Sequence, residues 1–191
     1  MCEPTATSLV ILDRDGVINQ DSDDYIRSVD EWIPIPGSID AIARLSRAGF
    51  KVAVATNQSG IGRGYYSDDA LAQMHALMYT LVEEAGGHIA ALSYCPHLPN
   101  AGCACRKPLP GLLDAIAQEL HLPLEHAWFV GDTGKDIETA LSRNCRPILV
   151  LSGKGERTLA SLSPHLRAAA VVVPDLAAAA TYILTTTPRL P

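Results

Sequence analysis

Two aspartates, Asp13 and Asp15, stand one residue apart directly after the apolar run "SLVIL". Side chains at i and i+2 of a strand leave on the same side, so at a strand's end the pair can flank one reaction centre. Carboxylates that close repel each other, and a divalent cation relieves the repulsion. Taken alone, Asp-x-Asp-Gly is also an ordinary turn after a strand. The ends of other apolar runs change that balance. Thr56, after "KVAVA", offers a hydroxyl followed by backbone N–H groups that can hold an oxyanion. Lys107 sits between Arg106 and Pro108, so its backbone is restrained. Asp132 and Asp136 in "GDTGKD" fall about one turn apart if a helix begins near Thr133. Acids at a helix start are also stabilised by its dipole, which leaves Asp136 open between the two roles. Asp132, at the end of a run, favours the site.

A second constellation is "CPHLPNAGCACRKP", residues 95–108. Cys95, His97, Cys103 and Cys105 supply three thiolates and one imidazole, a complete tetrahedral set for Zn²⁺. A closed shell leaves no position for water or substrate, so this zinc is expected to be structural. It would fold the loop and deliver Arg106 and Lys107 to the carboxylates.

The elements that must position these residues follow from the patterning. Short apolar, β-branched runs at 8–13, 51–57, 88–95, 127–132, 146–151 and 169–175 predict buried strands. Between them, helical periodicity covers 38–49, 67–87, 111–121, 134–144 and 175–185, with Ser38 and Ser67 as N-caps and glycines as stops. Alternation of strand and helix predicts a doubly wound parallel α/β sheet with helices on both faces. In such sheets ligands bind at the carboxyl ends of the strands, where all the polar chemistry lies. The 191 residues suit a single domain, with the zinc loop 95–105 inserted in it and a disordered tail at 186–191.

Composition narrows the function classes. Nearly half of the residues, 48%, are apolar, which excludes a disordered chain. Lys and Arg number 15 against 21 Asp and Glu, and a net charge of -6 argues against nucleic acid as the main partner. The N-terminal run lacks a basic segment and is cut by Asp13, unlike a signal peptide. Pro174-Asp175 interrupts the most apolar stretch before membrane-spanning length. The expectation is a cytoplasmic monomer without membrane contact. Five cysteines, an odd count, speak against a disulfide framework. Cys145 is read as a core residue and Cys2 as part of a loose terminus. Met74, Met78, Trp32 and Trp128 are read as packing residues. His75, His88, His121, His126 and His165 are scattered, without ligand partners at metal-site spacing.

The order Asp13-x-Asp15, Thr56, Lys107, Gly131-Asp132-x-x-x-Asp136 resembles the haloacid-dehalogenase superfamily of aspartate-based phosphatases. "DRDGVIN", "TNQSGIGRGYY", "CPHLPNAGCACRKP" and "VGDTGKD" are similar to its D-glycero-D-manno-heptose 1,7-bisphosphate 7-phosphatase branch. The resemblance implies a Mg²⁺-dependent phosphatase acting on a small-molecule sugar bisphosphate. Asp13 would be the nucleophile, forming an aspartyl-phosphate, and Asp15 the general acid and base. Asp13, the Asp15 carbonyl and Asp132 would hold Mg²⁺, with Asp136 behind them orienting Lys107 or a metal-bound water. Thr56 and Lys107 would hold phosphoryl oxygens. Asp21, Ser22, Asp23, Asp24, Asn57, Gln58, Ser59 and Arg106 match substrate-contacting positions. Two departures stand out. Thr133 replaces a lysine common in the family, with Lys135 two residues on, and is kept as a substrate candidate. The zinc loop is short, with five residues between His97 and Cys103.

The histidinol-phosphatase branch shares these motifs, but an acidic residue often stands there in place of Ser59. A non-catalytic sugar-phosphate-binding protein would be signalled by loss of Asp13 or Asp15, and both are present. A mutase of this fold commonly has a larger cap than this chain has room for. The motifs fit either anomer; the resemblance of the whole chain to lipopolysaccharide-type enzymes favours β, which would place the product on the ADP-heptose route to lipopolysaccharide core, whereas α would lead to a GDP-activated heptose.

Overall fold

Alternating burial decides how the strands pack. In the computed structural model, which describes residues 8–187, strand β1 (Leu9–Leu12) sends Leu9 and Ile11 into one apolar core and Val10 and Leu12 into another. A strand buried on both faces must be apolar throughout, which is why the run reads LVIL without alternation. The same holds for β4 (Trp128–Gly131) and for most of β2 (Lys51–Asn57).

With β3 (Ile89–Cys95), β5 (Arg146–Val150) and β6 (Val171–Val173), these strands form a six-stranded sheet in the order β3-β2-β1-β4-β5-β6. Every neighbouring pair is parallel. The chain runs outward from β1 to β3 on one side, then returns to lay β4 against β1 on the other. β1 and β4 therefore flank the topological switch point, where connections diverge and open a crevice at the strands' carboxyl ends.

Helices α1 (Ser38–Arg47), α3 (Asp68–Glu84) and α8 (Leu176–Thr186) cover one face. Helices α4 (Gly111–Leu120) and α5 (Gly134–Leu141) cover the other. Met74, Met78, Trp32 and Trp128 are buried in the first core, and Cys145 is buried in the second. The six expected strands and five expected helices are all present; β2 keeps its expected bounds, α8 ends one residue later than expected, and the other shifted ends are shorter by one to three residues.

Some details differ from expectation. Ser38 does not cap α1. Gly37 takes the cap position with φ 81°, and Ser38 is turned inward, donating from Oγ to the Ile18 carbonyl at 2.6 Å. That bond ties the loop after Asp15 to α1. Ser67 does cap α3, accepting from the Ala70 amide. Four short elements lack a legible apolar period: a 3-10 turn at Val29–Glu31, α2 (Ser59–Gly62), α6 (Gly155–Ser161) and α7 (Pro164–Ala169). At the tail, α8 continues through Thr186, and Thr187 accepts a hydrogen bond from Trp128 Nε1, so the expected loose segment does not begin at 186. Residues 188–191 and Cys2 lie outside the described residues.

Leu113, fully buried on α4 against the sheet, anchors the helix that follows the Cys/His loop. Leu113→Ala is expected to lower the unfolding free energy by roughly 2–5 kcal/mol, the cost of a cavity in a close-packed core. Urea titration followed by circular dichroism checks it.

Candidate active site

Asp13 leaves the end of β1 at the switch point, beside Asp132 at the end of β4 and Thr56 near the end of β2. The Asp13 amide bonds to the Val130 carbonyl, so sheet pairing itself sets its position. Its carboxylate accepts from the Arg14 amide at 2.7 Å and pairs with Lys107 Nζ at 2.8 Å.

Lys107 is a buried cation, 2% exposed. Its ammonium forms ion pairs with Asp13 Oδ2 and with Asp136 Oδ1 at 2.7 Å and donates a hydrogen bond to the Ala55 carbonyl at 2.9 Å. Burial opposes its charge, but Asp13 and Asp136 outweigh burial and hold it above the usual lysine range. Asn57 clamps the Lys107 backbone from both sides, accepting from its amide and donating to its carbonyl. Asp136 is fixed by its other oxygen, which accepts from the Thr133 amide and hydroxyl in a capping box at the start of α5. Gly131 is required here, because a Cβ would fall 2.3 Å from that of Asp136.

Asp15, two residues from Asp13, has a different environment. Arg14 is fully buried and grips both Asp15 oxygens from Nη2, with Nε adding a third contact. Asn19 and Gln58 donate to the same carboxylate. Gln58 also donates to Thr56 Oγ1 and accepts from the Tyr66 hydroxyl. His75 Nε2 lies 3.3 Å from Arg14 Nη1, and burial followed by the Arg14 charge pushes its pKa down to about 4, leaving a neutral ring that accepts from the guanidinium. Burial favours the protonated acid at Asp15, but Arg14, Asn19 and Gln58 together hold its pKa below the ordinary carboxylate range.

Asp13 and Asp132 are pushed the other way. Burial raises Asp13 to about 6, with Lys107 opposing and Asp136 adding to the rise. Burial, then the charges of Asp13 and Asp136, raises Asp132 to about 8. One carboxylate oxygen from each of Asp13, Asp132 and Asp136 can lie within 4.8 Å of the others. Lys107 and Thr133 already engage both Asp136 oxygens, which leaves Asp13 and Asp132 as the pair short of positive charge. A buried, oxygen-only donor set with this deficit fits a hard divalent cation. Gly16 and Gly153 let their loops pass over Asp132, since a Cβ at either would fall within 2.4 Å of its Oδ2.

The Cys/His loop fits its metal on geometry. Cys95 ends β3, with His97, Cys103 and Cys105 gathered beside it, all four ligand atoms within 4.8 Å. Cys95 Sγ lies 3.7 Å from Cys103 Sγ and 3.5 Å from His97 Nδ1, which is 3.3 Å from Cys105 Sγ. A tetrahedral zinc with bonds of about 2.3 Å to sulfur and 2.0 Å to nitrogen has edges near ~3.8 and ~3.5 Å. Burial, then the bonds and charges of Cys95 and Cys103, pushes Cys105 up to about 12, a conflict that a cation removes. Arg106 Nη1 reaches the His97 carbonyl at 3.3 Å, and the next residue is Lys107.

Above these groups opens a cleft of about 540 Å³. Asp13, Asp15, Thr56, Lys107 and Asp132 lie at its floor. Asp21, Ser22 and Asp23 stand on one side, with Asn57, Gln58, Ser59, Arg106 and Thr133 also lining it. Asp24 is the exception. It is exposed outside the cleft, with its amide turned to Ser22 Oγ. Asn57 and Thr133 line the cleft but spend their polar atoms on Lys107 and Asp136. His75, read as an isolated histidine, belongs to the layer behind Asp15. The sequence reading also passed over Arg14, Tyr66 and Lys154. Carrying the strand-end rule one strand further, to "LSGKGE" after β5, would have found Lys154, whose amide donates to Asp132 Oδ2 at 2.8 Å.

The fold and this floor define a hydrolase of the haloacid-dehalogenase type, and a HAD-hydrolase-like family model matches residues 104–179. A Pseudomonas putida protein named D-glycero-beta-D-manno-heptose-1,7-bisphosphate 7-phosphatase is 55% identical over 176 residues, covering 92% of this chain and 99% of that protein. One of the same name from Neisseria meningitidis serogroup A is 52% identical over 151 residues, 79% of this chain and 81% of that one. The crystal structure of D,D-heptose 1,7-bisphosphate phosphatase from Bordetella bronchiseptica, complexed with magnesium and phosphate, superposes with a TM-score of 0.87 at 45% identity, covering 93% of this chain and 98% of that one. The chain belongs to the D-glycero-D-manno-heptose-1,7-bisphosphate 7-phosphatase family.

The raised carboxylates give the sign of a pH effect. In the folded, magnesium-free protein Asp13 and Asp132 hold protons up to about 6 and about 8, whereas the unfolded chain releases them near 3.8. Their contribution to stability is complete below about 4 and is lost as pH rises through 8. A divalent cation offsets that loss, so the melting-temperature gain from saturating Mg²⁺ should be larger at about pH 8.5 than at about pH 5.5. Scanning calorimetry of zinc-loaded protein checks it. Equal gains would mean the two carboxylates do not titrate as stated.

Proposed function

We propose that this protein is a Mg²⁺-dependent phosphatase that removes the 7-phosphate of D-glycero-β-D-manno-heptose 1,7-bisphosphate through an aspartyl-phosphate on Asp13. The observation that carries this is the buried Asp13–Lys107 pair at the floor of an open cleft, with Asp132 beside it. The names of relatives at 55% identity support the substrate, and the magnesium and phosphate in the Bordetella structure support the metal. The product would supply nucleotide-activated heptose for lipopolysaccharide core.

The Asp13 carboxylate attacks phosphorus, and the bond from phosphorus to the C7 oxygen of the sugar breaks. Asp15 gives that oxygen a proton, which it must first take up from substrate or solvent because Arg14 holds its resting pKa below the ordinary carboxylate range. It then takes a proton from the water that attacks the aspartyl-phosphate, restoring Asp13 and releasing phosphate. Lys107 and Thr56 hold phosphoryl oxygens as charge moves between attacking and leaving atoms. Asp13, the Asp15 carbonyl and Asp132 would hold Mg²⁺, which supplies positive charge to the transferring phosphoryl group. Arg106 is suited to the phosphate that stays on the sugar, since a guanidinium grips phosphate bidentately. Zinc on Cys95, His97, Cys103 and Cys105 is structural.

Phosphate release with Mg²⁺ is expected to favour the β anomer over the α anomer and over histidinol phosphate by ~10-fold or more in kcat/KM, about 1.4 kcal/mol. Asp13→Asn should be inactive. A lead for histidinol phosphate, or an active Asp13→Asn, overturns the reading.

Removing zinc with a zinc-selective chelator should lower kcat/KM by about tenfold or more, because Arg106 and Lys107 lose their anchor. Added Mg²⁺ should not restore it. A folded, zinc-free protein with full activity would show that the loop does not position them.

A further inference from the structure

Lys154 joins two parts of the cleft that no element of secondary structure connects. Its amide donates to Asp132 Oδ2 at 2.8 Å, while its ammonium lies 2.5 Å from Asp21 Oδ2 and 4.0 Å from Asp23 Oδ1. Asp132 belongs to the cation-binding floor, and Asp21 and Asp23 to a wall. Gly153, at φ 58°, brings Lys154 this close, because any side chain there would strike Asp132 and Gly16. Apolar contacts hold the far end of this wall, where Tyr25 packs edge-on against Tyr65 and Ile26 is buried in the core. The Asp24 and Tyr25 amides bond back to Ser22 within the loop. Among the described residues, the polar links from residues 21–24 to the rest of the fold run to Lys154 and Arg157. The Arg157–Asp23 pair is 66% and 74% exposed and therefore weak. Lys154 and Asp21 are 36% and 14% exposed, so solvent screens their pair less.

We propose that Lys154 is a positioning residue for substrate. Through its main chain it holds the carboxylate at the reacting end. Through its side chain it holds the wall that faces the rest of the substrate, fixing one relative to the other. Its ammonium is committed to Asp21, so it acts through the loop rather than on a phosphate. The proposal rests on the phosphatase reading for its kinetic effect and on the ion pair alone for its structural effect.

The test is a Lys154/Asp21 double-mutant cycle in the full-length, zinc-loaded protein. Lys154→Ala keeps the amide on Asp132 and removes only the ammonium. KM for the bisphosphate should rise about fivefold or more, with kcat falling less than about threefold. Lys154→Arg should recover most of the loss. Asp21→Asn should raise KM in the same direction, and the double variant should be no worse than the worse single one. Hydrogen exchange across residues 21–25, measured without substrate, should speed up in Lys154→Ala. Unchanged KM, additive effects or unchanged exchange would overturn the proposal. So would a fall in KM for Asp21→Asn, which would assign the freed ammonium to the substrate itself. A wild-type protein inactive on heptose bisphosphate would sink the substrate reading, whereas the exchange measurement would still judge the Lys154 link.

Discussion

The site depends on the burial of one ammonium group. Lys107 is almost fully enclosed, and an unpaired ammonium in that position would cost several kcal/mol. Asp13 and Asp136 match its charge, and the Ala55 carbonyl accepts a hydrogen bond from it. Each partner is then constrained in turn. Asp136 must stay where Thr133 caps it, Gly131 must lack a side chain to admit it, and Asn57 must hold the Lys107 backbone in register with β2. The Cys/His loop supplies the remaining restraint, because it ends one residue before the Arg106-Lys107 pair.

The parallel sheet explains why these groups meet at all. A switch point places the ends of two strands side by side while their connections depart in opposite directions. Here that brings Asp13 and Asp132 together without any helix between them. The two glycines at 16 and 153 keep the following loops thin enough for Asp132 to remain in the crevice. Backbone pairing therefore sets the spacing of the carboxylates, and side-chain chemistry sets their charge.

Most of the architecture was legible because buried parallel strands demand continuous apolar, β-branched runs, and few other elements do. The floor of the site was legible for a related reason: Asp13, Thr56 and Asp132 each terminate such a run. Short elements such as Ser59–Gly62 and Pro164–Ala169 carry no period to read. Ser38 looked like a cap because serine at a helix start usually is one. Its inward turn toward the Ile18 carbonyl depends on a neighbour twenty residues away. Arg14 and His75 were missed because an arginine between two aspartates reads as a solvated charge, and the histidine lies on a helix among core residues. Only the tertiary fold shows that they are stacked behind Asp15. Asp24 was expected from the resemblance alone, and a matching loop does not say which of its members faces inward.

Asp13 and Asp15 show how a single turn can hold two carboxylates of opposite character. They share a backbone turn, with Asp13 buried and Asp15 half-buried. Yet Asp13 is raised to about 6 and Asp15 lies below its ordinary range. The difference comes from their partners. Asp13 shares Lys107 with Asp136 and faces Asp132, so its negative charge is only partly matched. Asp15 has the Arg14 guanidinium nearly to itself and accepts further bonds from Asn19 and Gln58. Separation of neighbouring acids by environment is how one site assigns different roles to identical side chains. Under the proposed mechanism Asp15 must pass a proton in each half of the reaction. The arginine that orients it also favours its return to the carboxylate, so proton delivery to the leaving oxygen is the easier direction and proton uptake from water the harder one.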